Sequence, residues 1–143
     1  MSYYKGRVWN ETITIYNRYQ TLVSGKTTTK WNRTVLNDCF FGHQKNQTVD
    51  GLTIVSNNTF IVRIPANKAY LSPEDYYALG GRMGTFTINK GDIIVRGSVT
   101  DTLADNDSGS SLLTKYFGRA FKVNRAVDNS KLTYTGHYMA SEE

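Results

Sequence analysis

Cys39 and His43 stand four positions apart, and His137 lies far downstream. A thiolate and imidazoles are ligands that zinc takes, and a thiol beside an imidazole is the pair that nucleophilic catalysis uses. Zinc needs four ligands, or three with an open position, and the acidic run Asp101, Asp105, Asp107 supplies a fourth in principle. Against this, Cys39 opens the hydrophobic run Cys39-Phe40-Phe41, where a free cysteine behaves as a small core residue. No orienting residue or oxyanion element is recognisable beside it. The expectation is a core thiol, with no metal, no cofactor and no catalytic residue.

Other constellations read similarly. Glu74 and Asp75 are adjacent acids, but neighbours on a helix do not face one cleft, whereas both suit the first turn after Ser72-Pro73. Asp101, Asp105, Asn106 and Asp107 lack the alternation and closing Glu of a calcium loop, and read as a solvated loop tip. Gly80-Gly81-Arg82-Met83-Gly84 lacks the Lys-Ser/Thr ending of a phosphate loop and reads as a hinge. Basic and aromatic residues interleave at Lys30, Trp31, Arg33 and again at Tyr116, Phe117, Arg119, Phe121, Lys122. A nucleic-acid platform on an OB-like barrel has this texture, and so does a strand with one buried face.

The elements that position these residues are mostly strands. The 143 residues fit one domain, long enough to bury a core without disulfides. A single cysteine allows no internal disulfide, so an oxidising compartment is not required. The N-terminus has no apolar signal region and no stretch approaches a membrane span, which predicts a cytoplasmic setting or a particle assembled there. The net charge of +5 is spread without a basic run and permits, without demanding, an anionic partner.

Residues 84–100 predict a hairpin at the centre of an antiparallel sheet, turning at Asn89-Lys90-Gly91-Asp92. Residues 11–16 alternate as a half-buried strand, Ser24-Gly25-Lys26 turns, and residues 27–41 form a second strand with a bulge at Asn37-Asp38. Residues 42–50 read as a polar loop, 52–55 and 60–64 as short strands around a Ser56-Asn57-Asn58 turn, with Pro65 ending the second. A long insertion, 66–83, carries a short helix over 73–79 with Tyr76, Tyr77 and Leu79 on its apolar side. A second short helix over 112–117 is capped by Ser110 or Ser111. Residues 120–127 and 132–139 read as a terminal hairpin, 1–10 as an arm and 140–143 as a tail. The expected fold is mainly β, a small antiparallel barrel or sandwich with two short helical insertions, in one domain.

Four stretches in this order carry a resemblance: Thr12-Ile13-Thr14-Ile15-Tyr16-Asn17, Lys30-Trp31-Asn32-Arg33-Thr34-Val35, Phe60-Ile61-Val62-Arg63-Ile64-Pro65, and Lys90-Gly91-Asp92-Ile93-Ile94-Val95-Arg96-Gly97, with Val127-Asp128-Asn129 closing. Together they resemble small proteins encoded between the capsid and tail genes of tailed phages and prophages of Gram-positive bacteria, labelled minor capsid or head–tail connector proteins. The resemblance implies a non-enzymatic head-completion or stopper-like subunit that forms a homo-oligomeric ring at the virion neck. Its implied partners are portal or adaptor and tail proteins. The ring would enclose double-stranded DNA without reading its sequence, and no membrane is involved. On this reading Lys26, Lys30, Arg33 and Lys90 are candidates to face the channel or nucleic acid. Tyr3, Tyr4, Trp9, Tyr70, Tyr76 and Tyr77 are candidates for subunit contact, as are segments 1–10, 66–83 and 102–110. Two rival readings are a single-stranded nucleic-acid-binding barrel using Trp31 and Lys122, and a small enzyme using Cys39 or His137.

Overall fold

Strand β1 (Ser2–Tyr4) pairs antiparallel with β2 (Arg7–Trp9) in a ladder of its own. The computed structural model describes residues 2–4, 7–50, 53–132 and 136–142, with side chains described over 9–22, 24–43, 59–132 and 136–142. The expected arm at residues 1–10 is therefore a short hairpin. Its last residue, Trp9, is 4% exposed and meets the His137 ring edge-on at 5.8 Å.

From Glu11 the alternating residues build β3 (Glu11–Val23), which turns at Ser24-Gly25 into β4 (Lys26–Asp50). Both turn residues take positive φ, 52° and 76°. The bulge expected at Asn37-Asp38 is present: Glu11 pairs with Cys39 and Ile13 with Leu36, so two residues oppose Thr12 alone. Asp38 sits at φ 59°, a conformation Asp tolerates better than most side chains.

β4 is far longer than its sequence suggests. Residues 42–50 are strand, not loop, and the expected turn at 56–58 lies inside one unbroken β5 (Thr53–Pro65). Leu52 lies outside the described residues. β4 spends residues 26–39 on β3 and residues 40–50 on β5, so one strand serves both halves of the molecule. A bulged strand that leaves one partner for another makes such a corner.

Helix α1 (Pro73–Ala78) starts where expected, with the Ser72 hydroxyl accepting from the Asp75 amide at 3.3 Å. The central-hairpin expectation fails. Only its second arm is a strand, β6 (Ile93–Arg96), second from one sheet end. The first arm, around Phe86 and Ile88, makes a single bridge to Tyr70 and plugs the core, at 0% and 3% exposure. Helix α2 (Ser110–Lys115) is preceded by Gly109 at φ 83°, with no side-chain cap, in place of the expected serine. The single strand expected over 120–127 is split at Val123-Asn124 into β7 (Ala120–Lys122) and β8 (Arg125–Asn129), which join different partners. β9 (His137–Ser141) closes the chain. Most of the expected tail is thus structural: Ala140 is 0% exposed, and the Ser141 carbonyl accepts from the Asn124 amide at 2.9 Å. Tyr134 lies outside the described residues.

The sheet runs β7-β6-β3-β4-β5-β9-β8, all antiparallel. It is folded over rather than hydrogen-bonded into a closed barrel, although its two end strands are consecutive in the chain. One core fills the fold, with Ile13, Ile15, Val62, Ile64, Ile94 and Phe121 among its members. A smaller cluster on the outer side of β3 and β6, including Tyr16, Val95 and Val99, is covered by Leu112 of α2. No described helix is long and apolar enough to cross a membrane.

Candidate interaction site

A groove of about 1040 Å³ opens beside β7. Arg18, Lys90 and Lys122 supply its cations, Phe60, Phe117 and Phe121 its aromatic surface, and Glu142 and His43 also line it. Two hollows adjoin it: one of about 400 Å³ holds Arg18, Lys90 and Tyr77, and one of about 250 Å³ holds Arg18, Lys122 and Trp31. Arg18 lines all three.

The backbone beneath these cations is fixed by a buried carboxylate. Asp92 is 1% exposed and accepts from the Arg18 amide, the Asn89 amide and the Asn17 side-chain amide, each at 2.9 Å. Burial pushes its carboxyl up to about 7, against the pull of those three donors. Asn17 also receives Thr87: its Nδ2 donates to the Thr87 carbonyl at 2.6 Å, and its Oδ1 accepts from the Thr87 amide at 3.2 Å. One side-chain amide thereby takes both main-chain groups that a neighbouring strand would have taken, which is why residues 84–89 settle without a ladder. Gly91 stands at φ 101°, and its amide donates to the Val123 carbonyl at 2.9 Å. The Val123 amide returns a bond to the Asp92 carbonyl at 2.7 Å. The turn bearing Lys90 is thus held between β3 and β7, and three segments deliver one cation each.

The residues weighed for catalytic or metal chemistry form no cluster among the described residues. Cys39 is 0% exposed, and burial, then the charge of Asp38, pushes its thiol up to about 12, so the nucleophilic thiolate is suppressed. His43 lines the groove, 4.6 Å from the Phe60 ring centre. Among the described residues, no group of three or more His, Cys, Asp or Glu side chains could hold a metal. The acidic loop is solvated at its tip, as expected, with Ala104, Asp105 and Asn106 exposed, and it also braces its neighbours. Asp105 pairs with Lys30 at 3.5 Å, and Asp101 takes the Lys115 ammonium at 2.7 Å and the Tyr116 hydroxyl. Asn106 clasps Thr29 twice, amide to carbonyl at 2.7 Å and Oδ1 from amide at 3.0 Å.

Of the four expected cations, Lys90 alone lies in the groove. Lys26 starts β4, Lys30 is tied to Asp105, and Arg33 donates to the Val99 carbonyl at 3.0 Å. Sequence reasoning missed Arg18, whose one signal was an exposed phase on an alternating strand. Of the tyrosines, Tyr76 is 0% exposed, Tyr70 stacks on Tyr138 at 3.8 Å, and Tyr77 is 40% exposed; Leu79, expected to pack, is 55% exposed. The side chains of Tyr3 and Tyr4 lie outside those described.

A second feature concerns backbone. From Gln44↔Thr59 to Asp50↔Thr53, β4 and β5 pair only with each other, and no described strand flanks either edge. At ~3.3 Å per residue this ribbon reaches about 20 Å beyond the sheet.

A family model matches residues 8–141, nearly the whole chain. The chain belongs to DUF6751, a family of unknown function. Comparison with the curated proteins and with the solved structures gave no match. The DUF6751 match spans β3 through β9, so the ribbon, the brace and all of the groove but Glu142 lie within it.

Proposed function

We propose that this chain is a structural subunit of a phage head–tail connector, a head-completion or stopper-like component that assembles as a ring and joins capsid to tail around the DNA. The observation that supports this most is the β4–β5 ribbon. An isolated two-stranded ribbon is marginal in water, and an edge that no strand covers templates further strands; among the described residues no strand flanks this one. A second copy of the chain, or a portal, adaptor or tail protein, completes it by strand addition. The strand-motif order from residue 12 to residue 129 points to the same class of protein. Assembly takes place in the host cytoplasm and the finished ring sits at the virion neck.

Native mass measurement and negative-stain imaging, with and without portal complexes of the same gene cluster, test this. Rings or portal-bound copies are expected. A stable monomer that never joins portal, adaptor or tail assemblies overturns the reading.

A further inference from the structure

We propose that the groove over Gly91 binds single-stranded nucleic acid, its phosphates on Arg18, Lys90 and Lys122 and a base on Phe117. The charge comes first. Lys30, Arg96 and Lys115 each have a carboxylate within 4 Å, at 3.5, 2.6 and 2.7 Å. Arg18, Lys90 and Lys122 have none among the described residues, although they share one concavity. Their positions are set by the Asp92 clamp and the β6–β7 ladder, so the three cations are held in one concavity with no ion pair within 4 Å, the nearby negative groups being the buried Asp92, which feels the Arg18 charge, and Glu142 at the lining.

The aromatic surface narrows the ligand. Phe117 is 89% exposed, leaving an apolar ring in water at the groove lining. Phe60, half-buried in the groove lining, stacks on the buried Phe121 at 5.7 Å and 19°. Trp31 stands in the adjoining hollow with Arg18 and Lys122, its indole N–H already given to the Asp107 carbonyl at 2.9 Å. An acidic peptide satisfies the cations but brings no regular succession of flat rings. A nucleic-acid strand brings both phosphates for the three cations and flat rings for the exposed Phe117. Duplex DNA hides its base faces in the stack, which selects the unpaired strand. Glu142 at the groove lining opposes the ligand and limits its affinity.

Anisotropy titration of labelled oligothymidylate across a salt series tests the site. The triple variant Arg18→Ala/Lys90→Ala/Lys122→Ala is expected to weaken binding about 10- to 100-fold and reduce the log–log salt slope by about 2, at ~0.7 per phosphate. The control Lys68→Ala/Arg82→Ala/Lys131→Ala removes equal charge outside the groove and should change binding less than about 3-fold. Phe117→Ala should cost about 10-fold, and Glu142→Gln should tighten binding. Arg18 serves the clamp through its main-chain amide, so its truncation leaves that bond intact; Lys122→Glu alone, also expected to weaken binding, provides a milder variant. The proposal is overturned by absence of binding at low salt, by equal loss in groove and control variants, by a silent Phe117→Ala, by duplex binding as tight as single strand, or by oligoglutamate of equal charge displacing the strand as well as unlabelled oligothymidylate. Ring assembly is a separate measurement, so either result leaves the connector reading to its own test.

Discussion

Two hairpins in this protein outrun the sheet, and they end differently. Beyond Tyr16↔Arg33, β3 and β4 continue as a pair to Val23↔Lys26; beyond His43↔Phe60, β4 and β5 continue to Asp50↔Thr53. The first is braced over residues 29–32 of β4. Asn106 clasps Thr29, Trp31 donates to Asp107, and Asn32 donates to the Tyr76 hydroxyl and the Gly81 carbonyl at 2.9 and 2.6 Å. The second has no flanking strand among the described residues. Local strand formation is common to both. In the first, loop groups reach back to its edge and tie it to the rest of the domain.

The largest effect should come from removing the arm. Replacing residues 45–58 with Asn-Gly between the paired Gln44 and Thr59 provides a two-residue hairpin turn. Assembly is expected to vanish in native mass measurements while the melting temperature shifts by only a few degrees. A collapsed melting temperature would show that the ribbon belongs to the domain, and the contrast would fail. Next, Tyr76→Ala empties the fully buried seat of the brace, where Tyr19 meets Tyr76 edge-on at 6.1 Å. A loss of about 3 kcal/mol, or roughly 10 °C by calorimetry, is expected.

Asp92→Asn separates the clamp's charge from its shape. The folded carboxyl is pushed up to about 7, above an unfolded value near 3.9, so the stability it confers is complete below about pH 4 and is lost as pH rises through 7. The amide does not titrate and turns a donor toward a donor, costing about 1–3 kcal/mol at low pH. Denaturant midpoints should therefore show a gap between wild type and variant that is widest near pH 4 and narrows toward pH 8. A gap widening with pH would reverse the assignment. The smallest effect is expected from Asn106→Gly, which keeps the positive φ of 63° and the main-chain bond but loses the side-chain bond to Thr29. About 1 kcal/mol should disappear from the braced hairpin in the same measurement.

Much of the fold was legible where one face is buried. The bulge at Asn37-Asp38, the Pro65 stop and the Ser72 cap each follow from a local rule and stand in the structure, and Ile13 and Ile15 share the core face as expected, but Thr14, Tyr16 and Asn17 are buried too, so β3 is covered on both faces here rather than half-buried. The β4–β5 ribbon was not legible, because two strands without a third layer impose no one-sided apolar pattern, and Gln44 to Gln47 read as loop. Residues 84–89 misled for the opposite reason. Their alternation is strand-like, but Asn17 supplies the bonds from a distant side chain, and no local rule announces that. The groove was half legible: Lys90 and Lys122 were visible as cations, while their convergence on Arg18 depends on the Asp92 clamp closing around Gly91. Burial at Tyr76 likewise came from the Asn32 and Tyr19 contacts, outside its own helix.

β4 has a mechanical consequence. Its 25 residues are a single covalent cable from the tip of the ribbon, past the core, to the braced hairpin. A pull on the tip directed along this cable loads its cross-strand bonds in parallel, and many must give way together before the domain opens. A peeling pull breaks them one after another. Such a part is stiff in tension and yielding when bent.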